Sequence, residues 1–133
     1  NILYNNQIIK KKIPQKILYK NLLKKCDIGL STVIIRRELL KLGNFPDLKT
    51  QEDFALWLRY ARNLVKLAGL NKPLTTWRKT ENSLSSNKYQ KIKDAFKIYS
   101  SFEKNNFIVS IFSVIILILN KIKKNLQLYS SLF

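Results

Sequence analysis

The stretch TQEDFALWLR, residues 50–59, places two carboxylates, Glu52 and Asp53, directly before an apolar run. Phe54, Trp57, Leu58 and Ala61 recur at i, i+3, i+4 and i+7, the spacing of one buried face of an α-helix. Thr50 can cap such a helix with its hydroxyl, and the acid three residues on can reach back in a variant of the capping box. Negative charge in the first turn also complements the helix dipole. Successive helical residues are about 100° apart, so Glu52 and Asp53 cannot face the same way. Asp53 lies on the side of Trp57, one helical turn on. A carboxylate held rigidly at a helix start and partly open to solvent can take a proton from a hydroxyl. Asp53 is therefore both a helix-start residue and a candidate general base, with Glu52 as its supporting neighbour.

Working outward, Gly43 closes a short helical segment over residues 37–42, and residues 44–47 form a loop. The β-branched run STVIIRR, residues 31–37, predicts a buried strand. Residues 2–9 predict a hairpin around Asn5-Asn6. Pro14 suits the first turn of a helix to about Lys25, with Leu18, Leu22 and Cys26 stacked along it. Beyond the central helix, residues 64–70 predict a strand and residues 74–78 an extended run, and residues 79–86 are polar and loop-like. Tyr89, Ile92, Phe96 and Tyr99 predict a further helix packed through that stripe. Residues 107–119 are apolar or small, short of the roughly 20 residues that cross a bilayer, and predict a buried or interfacial helix. Lysines follow directly, as at an anionic headgroup layer. Alternating strands and helices place the chain in the mixed α/β class.

The chain has 133 residues and a formal charge of +17, which calls for an anionic partner or surface. Residues 10–25 carry seven lysines and no acid, whereas residues 27–62 hold five of the eight acids, so chemistry belongs in the middle. No histidine and a single cysteine, Cys26, exclude an internal disulfide, the usual zinc site and histidine-based nucleophile triads. No glycine-rich phosphate loop is present. The lysines do not gather on one helix interleaved with aromatic residues, so a nucleic-acid module is the weaker alternative, and a non-catalytic membrane scaffold is another. No methionine occurs, which suggests a processed product or a piece of a longer chain.

The order of CDIGLSTVIIRRELL, a Gly-Asn-Phe loop, QEDFALWLR and LNKPLTTWRKTENSLSSNK, within residues 13–103, resembles the C-terminal half of inverting family 2 glycosyltransferases of the GT-A type. It is most similar to the teichuronic-acid, capsule and lipopolysaccharide sugar transferases. The resemblance implies an α/β fold: the C-terminal part of a Rossmann-like GT-A domain, acceptor-side over residues 1–86; the helical tail over 87–133, by its apolar run and lysines, is expected at a membrane surface. It makes Asp53 of the Glu-Asp motif the base that deprotonates the acceptor. Arg78, with Lys79 and Lys88, would face the donor diphosphate, and Ser31, Thr32 and Trp57 would border the acceptor pocket, Trp57 packing first as a core ring. The resemblance further implies a nucleotide-sugar donor, a glycan or lipid-linked acceptor, work at the cytoplasmic face of the inner membrane, and a divalent Mg or Mn ion. The Asp-x-Asp that holds that ion in the family is absent from this sequence, and Thr80 stands where many relatives have a metal-binding histidine.

Overall fold

The computed structural model describes residues 2–4, 7–9, 13–78 and 87–130. It contains α-helices of 4 to 24 residues and two small sheets, with the helix over residues 52–62 at the centre of the core. The expected antiparallel pair forms, β1 (Ile2–Tyr4) with β2 (Gln7–Ile9), while the Asn5-Asn6 turn lies outside the described residues. A second two-stranded sheet pairs β3 (Lys16–Ile17) with β4 (Leu67–Ala68), and β1 also pairs in parallel with β5 (Trp77–Arg78). The remaining elements are α1 (Tyr19–Leu22), α2 (Glu52–Arg62), α3 (Lys88–Lys97) and α4 (Phe107–Ser130). A π-helical turn, Ile98–Phe102, follows α3, and 3-10 segments cover Leu30–Thr32 and Arg37–Leu42.

Helix α2 is the axis of the core. Phe54, Trp57, Leu58 and Ala61 are buried as their spacing requires, and Ala55, Leu56 and Tyr60 are buried too. A helix buried nearly all round has neighbours on several sides. Here they are Leu22 from α1, Ala95, Ile98 and Tyr99 from α3 and its π turn, and Val114 from α4. Phe54 meets Tyr99 edge to face, and Trp57 lies between Phe45 and Tyr60. Each fully buried leucine of this cluster contributes about 1.5–3 kcal/mol relative to exposure. One continuous core therefore draws on residues either side of the polar stretch 79–86, which itself lies outside the described residues.

Three expected elements take other forms. Residues 31–37 make no paired strand among the described residues. Leu30–Thr32 turns as a 3-10 segment, after which the chain runs extended with Val33 and Ile35 toward the core and Ile34 99 % exposed. The β-branched residues favour extended backbone, but only alternate ones have something to pack on. The helix expected over residues 14–25 shrinks to α1, because β3 claims Lys16 and Ile17. Gly69 permits that pairing: its N–H donates to the Gln15 carbonyl at 3.1 Å, and a Cβ there would sit 2.5 Å from the Pro14 oxygen. In α3 and its π turn the expected stripe is packed only at its C-terminal half, Phe96 and Tyr99, beside Asp94, Ala95 and Ile98, whereas Tyr89 is 77 % exposed and Ile92 is also open. The 3-10 segment before Gly43 ends as expected, with Gly43 at φ 129°, a backbone that disfavours a side chain.

Candidate active site at the head of helix α2

The entry to α2 is built differently from a capping box. Gln51 is the residue that precedes the first helical turn, in a left-handed conformation with φ 61° and ψ 21°, and no side chain caps the helix. The Thr50 hydroxyl is engaged elsewhere: both its Oγ1–H and its backbone N–H donate to Asp94 Oδ2, each at 2.8 Å. Asp94 Oδ1 accepts from Gln90 Nε2 at 2.9 Å, and Gln51 Nε2 donates to the Lys91 carbonyl at 2.6 Å. Helix α3 thus clamps the two residues that lead into Glu52 and Asp53. A non-glycine residue held left-handed costs free energy, and this set of bonds is what holds it.

Asp94 is only 4 % exposed, and burial by itself would raise its carboxyl. The hydrogen bonds from Thr50 and Gln90, with Lys97 nearby, win, and its pKa lies below the ordinary 3.8. Asp94 was not among the residues singled out from the sequence. As the one acid between Lys88 and Lys97 it reads as solvated charge, and the more conspicuous aromatic stripe hid the face it shares with Ala95 and Ile98.

Asp53 sits half-buried in the first turn, with Oδ1 accepting the Phe54 N–H at 2.8 Å. Its pKa is raised: loss of solvent dominates, the Glu52 charge adds to it, and the backbone N–H bonds pull only partly the other way. A raised carboxyl is a stronger base than a solvated one, and the Phe54 N–H orients one of its oxygens. Glu52 is its sequence neighbour, also half-buried.

The other expected site residues are spread out. Trp57 is 2 % exposed between Phe45 and Tyr60, a core ring rather than a sugar platform, and its Nε1 has no hydrogen-bond partner among the described residues. Ser31 and Thr32 are exposed on the 3-10 turn, where Thr32 Oγ1 donates to the Gly29 carbonyl at 2.7 Å. Lys88 is exposed at the start of α3, one turn before Lys91. Arg78 is in β5, its side chain outside the described set, and Lys79 lies outside the described residues. Among the described residues no group of three His, Cys, Asp or Glu side chains could hold a metal ion.

No protein-family model matches the chain, and no solved structure matches it. Curated proteins do. Over 113 residues, 85 % of the chain, it is 31 % identical to a protein named as a teichuronic acid biosynthesis glycosyltransferase in Bacillus subtilis (strain 168). Over 106 residues, 78 % of the chain, it is 36 % identical to a UDP-Glc:alpha-D-GlcNAc-diphosphoundecaprenol beta-1,3-glucosyltransferase of Escherichia coli. A second E. coli protein of that description is 37 % identical over 79 residues, 59 % of the chain. The chain is a glycosyltransferase homologue. The match fits the family 2 resemblance carried by its motifs. This glycosyltransferase homologue spans 45 %, 42 % and 31 % of the lengths of those three relatives, in the same order.

Proposed function

We propose that the chain is the acceptor-side, base-carrying portion of an inverting family 2 glycosyltransferase of GT-A architecture. It serves transfer of a sugar from a nucleotide-sugar to a hydroxyl of a cell-surface glycan or lipid-linked acceptor, at the cytoplasmic face of the inner membrane. The observation that carries this reading is Asp53: a half-buried carboxylate, its pKa raised by desolvation, fixed at a clamped helix start in a homologue of sugar transferases.

In this reading Asp53 accepts the proton of the acceptor hydroxyl as that oxygen attacks the anomeric carbon. The bond to the nucleoside diphosphate breaks as the new one forms, and the diphosphate departs with the electron pair. Preorganised positive charge stabilises the departing diphosphate, the role offered to Arg78, Lys79 and Lys88. Ser31 and Thr32 remain the candidate acceptor contacts. The described residues offer no ligand set for a divalent ion, so no step is assigned to one.

The reading is tested by incubating the protein that carries this chain with UDP-sugars and a diphosphoundecaprenol-linked acceptor, following nucleoside diphosphate release and the anomeric configuration of the product. Acceptor-dependent release with inversion is expected. Release with retention, or none with any nucleotide-sugar, overturns it.

A further inference from the structure

Helix α4 has two apolar sides. Ser110 and Val114 face inward, and Asn120 and Lys124 hold the same side against the loop after α1. The opposite side carries Ile108, Phe112, Ile115, Leu119, Ile122 and Leu126, spaced alternately by four and three residues. Ile108, Phe112, Leu119 and Leu126 are 59 to 65 % exposed. Val109, Ile111 and Ile116 flank the stripe and are exposed too. At 100° per residue, the exposed apolar arc covers roughly 160° of the helix. Exposed Tyr89 and Ile92 of α3 continue it: with the partly buried Phe96 they face Ile111, Ile115 and Ile118 across an apolar groove of about 460 Å³, with Lys93 on its wall.

The charges gather at one end of this surface. The Asn120 amide donates to the Lys24 carbonyl at 3.0 Å, and Lys124 and Lys25 share Asp27 at 2.6 and 3.1 Å. The lysine-rich N-terminal stretch and the lysines that end the apolar run, some 97 residues apart in sequence, thereby meet. Lys24, Lys25, Lys121 and Lys123, adjacent in sequence to these contacts, are exposed. Lys91 of α3 faces Lys121 of α4, and burial together with that second cation draws Lys91 below the ordinary lysine value.

We infer that this two-helix face is a docking surface for an anionic lipid bilayer, with α4 lying in the interfacial plane and the Lys24, Lys25, Lys121 and Lys123 cluster against the headgroups. Two observations select a bilayer over other occupants. A coiled-coil partner needs a narrow apolar seam with charged flanks, whereas here the exposed flanking Val109, Ile111 and Ile116 are apolar. The helix has no acid in its 24 residues and runs into lysines, complementary to anionic lipid. This deepens the membrane placement proposed above and is independent of Asp53, since vesicle binding is read without sugar transfer.

The test is flotation of the protein that carries this chain with vesicles of phosphatidylglycerol and phosphatidylcholine in equal parts, against pure phosphatidylcholine, at low and high salt. Binding to the mixed vesicles is expected to be at least tenfold stronger, roughly, and to weaken with salt. Leu119→Glu should lower it about tenfold or more, with the far-ultraviolet spectrum of the native chain retained because the residue is exposed. Lys121→Glu with Lys123→Glu should abolish the preference for phosphatidylglycerol. Equal binding to both vesicles, unchanged binding by Leu119→Glu, or a dimer without lipid binding that Leu119→Glu dissociates would each overturn the inference.

Discussion

Replacing Asp94 should loosen the head of α2 while leaving the rest of the core in place. The carboxylate is 4 % exposed and accepts three hydrogen bonds, two from Thr50 and one from Gln90. A bond to a charged group contributes roughly 1.5–3 kcal/mol, and an abandoned buried donor costs a comparable amount. In Asp94→Ala the Thr50 hydroxyl can turn toward solvent, but the Thr50 N–H and the Gln90 amide lose their acceptor. Counting those two, and allowing for relief of a buried charge, the expected loss is about 3 kcal/mol. Asp94→Asn keeps one acceptor oxygen and should lose about 2 kcal/mol. The assay is urea unfolding followed by tryptophan fluorescence at neutral pH, with the midpoint shift multiplied by a common slope. Thr50→Val should couple to Asp94→Ala by about 1 kcal/mol in a double-mutant cycle. Because the folded pKa of Asp94 lies below 3.8, its contribution is present above that value and fades as pH falls through the folded one, so wild type and Asp94→Asn should converge in acid. A loss below about 0.5 kcal/mol for Asp94→Ala, the scale of an ordinary surface change, would refute the clamp.

Other consequences are more compact. Asp53 has the opposite sign: its folded pKa is raised, so ionising it costs stability as pH rises from the ordinary 3.8 through the folded value, and Asp53→Asn should be at least as stable as wild type at neutral pH by the same urea assay. The Tyr19 hydroxyl donates to Glu103, whose side chain is 4 % exposed and also near Arg62 at 3.7 Å, so Tyr19→Phe should cost about 2 kcal/mol. Burial and Glu103 push the Tyr19 pKa up to about 12, so stability from this group holds below pH 10.0 and is lost as pH rises through 12. Base titration monitored by circular dichroism should show that loss in wild type and a shallower one in Tyr19→Phe.

Helix α2 was legible because its periodicity, its acidic first turn and its core contacts agree. The hairpin and the stop at Gly43 were legible for the same reason, each resting on a local rule that tertiary contacts reinforce. The segment 31–37 was not: extended propensity is local, but a strand needs a partner, and among the described residues none lies beside it. Pro14 misled because pairing with Leu67–Ala68 across Gly69 outweighs a favourable helix start. The stripe Tyr89, Ile92, Phe96 and Tyr99 has the right period for a helix, but only Phe96 and Tyr99 reach the core, and period cannot say how far along a helix its neighbours extend. At the candidate site, the sequence and the resemblance pointed to Asp53 and Glu52, but Asp94 acts from 44 residues away on Thr50, a relation that no spacing rule encodes.

The most direct measurement is turnover in the protein that carries this chain, comparing Asp53→Asn with Glu52→Gln at saturating donor. Loss of the general base should reduce kcat by about 10²–10⁴-fold in Asp53→Asn, with the acceptor KM little changed, while Glu52→Gln stays within about tenfold of wild type. Near wild-type turnover for Asp53→Asn would contradict the assignment of Asp53 as the base.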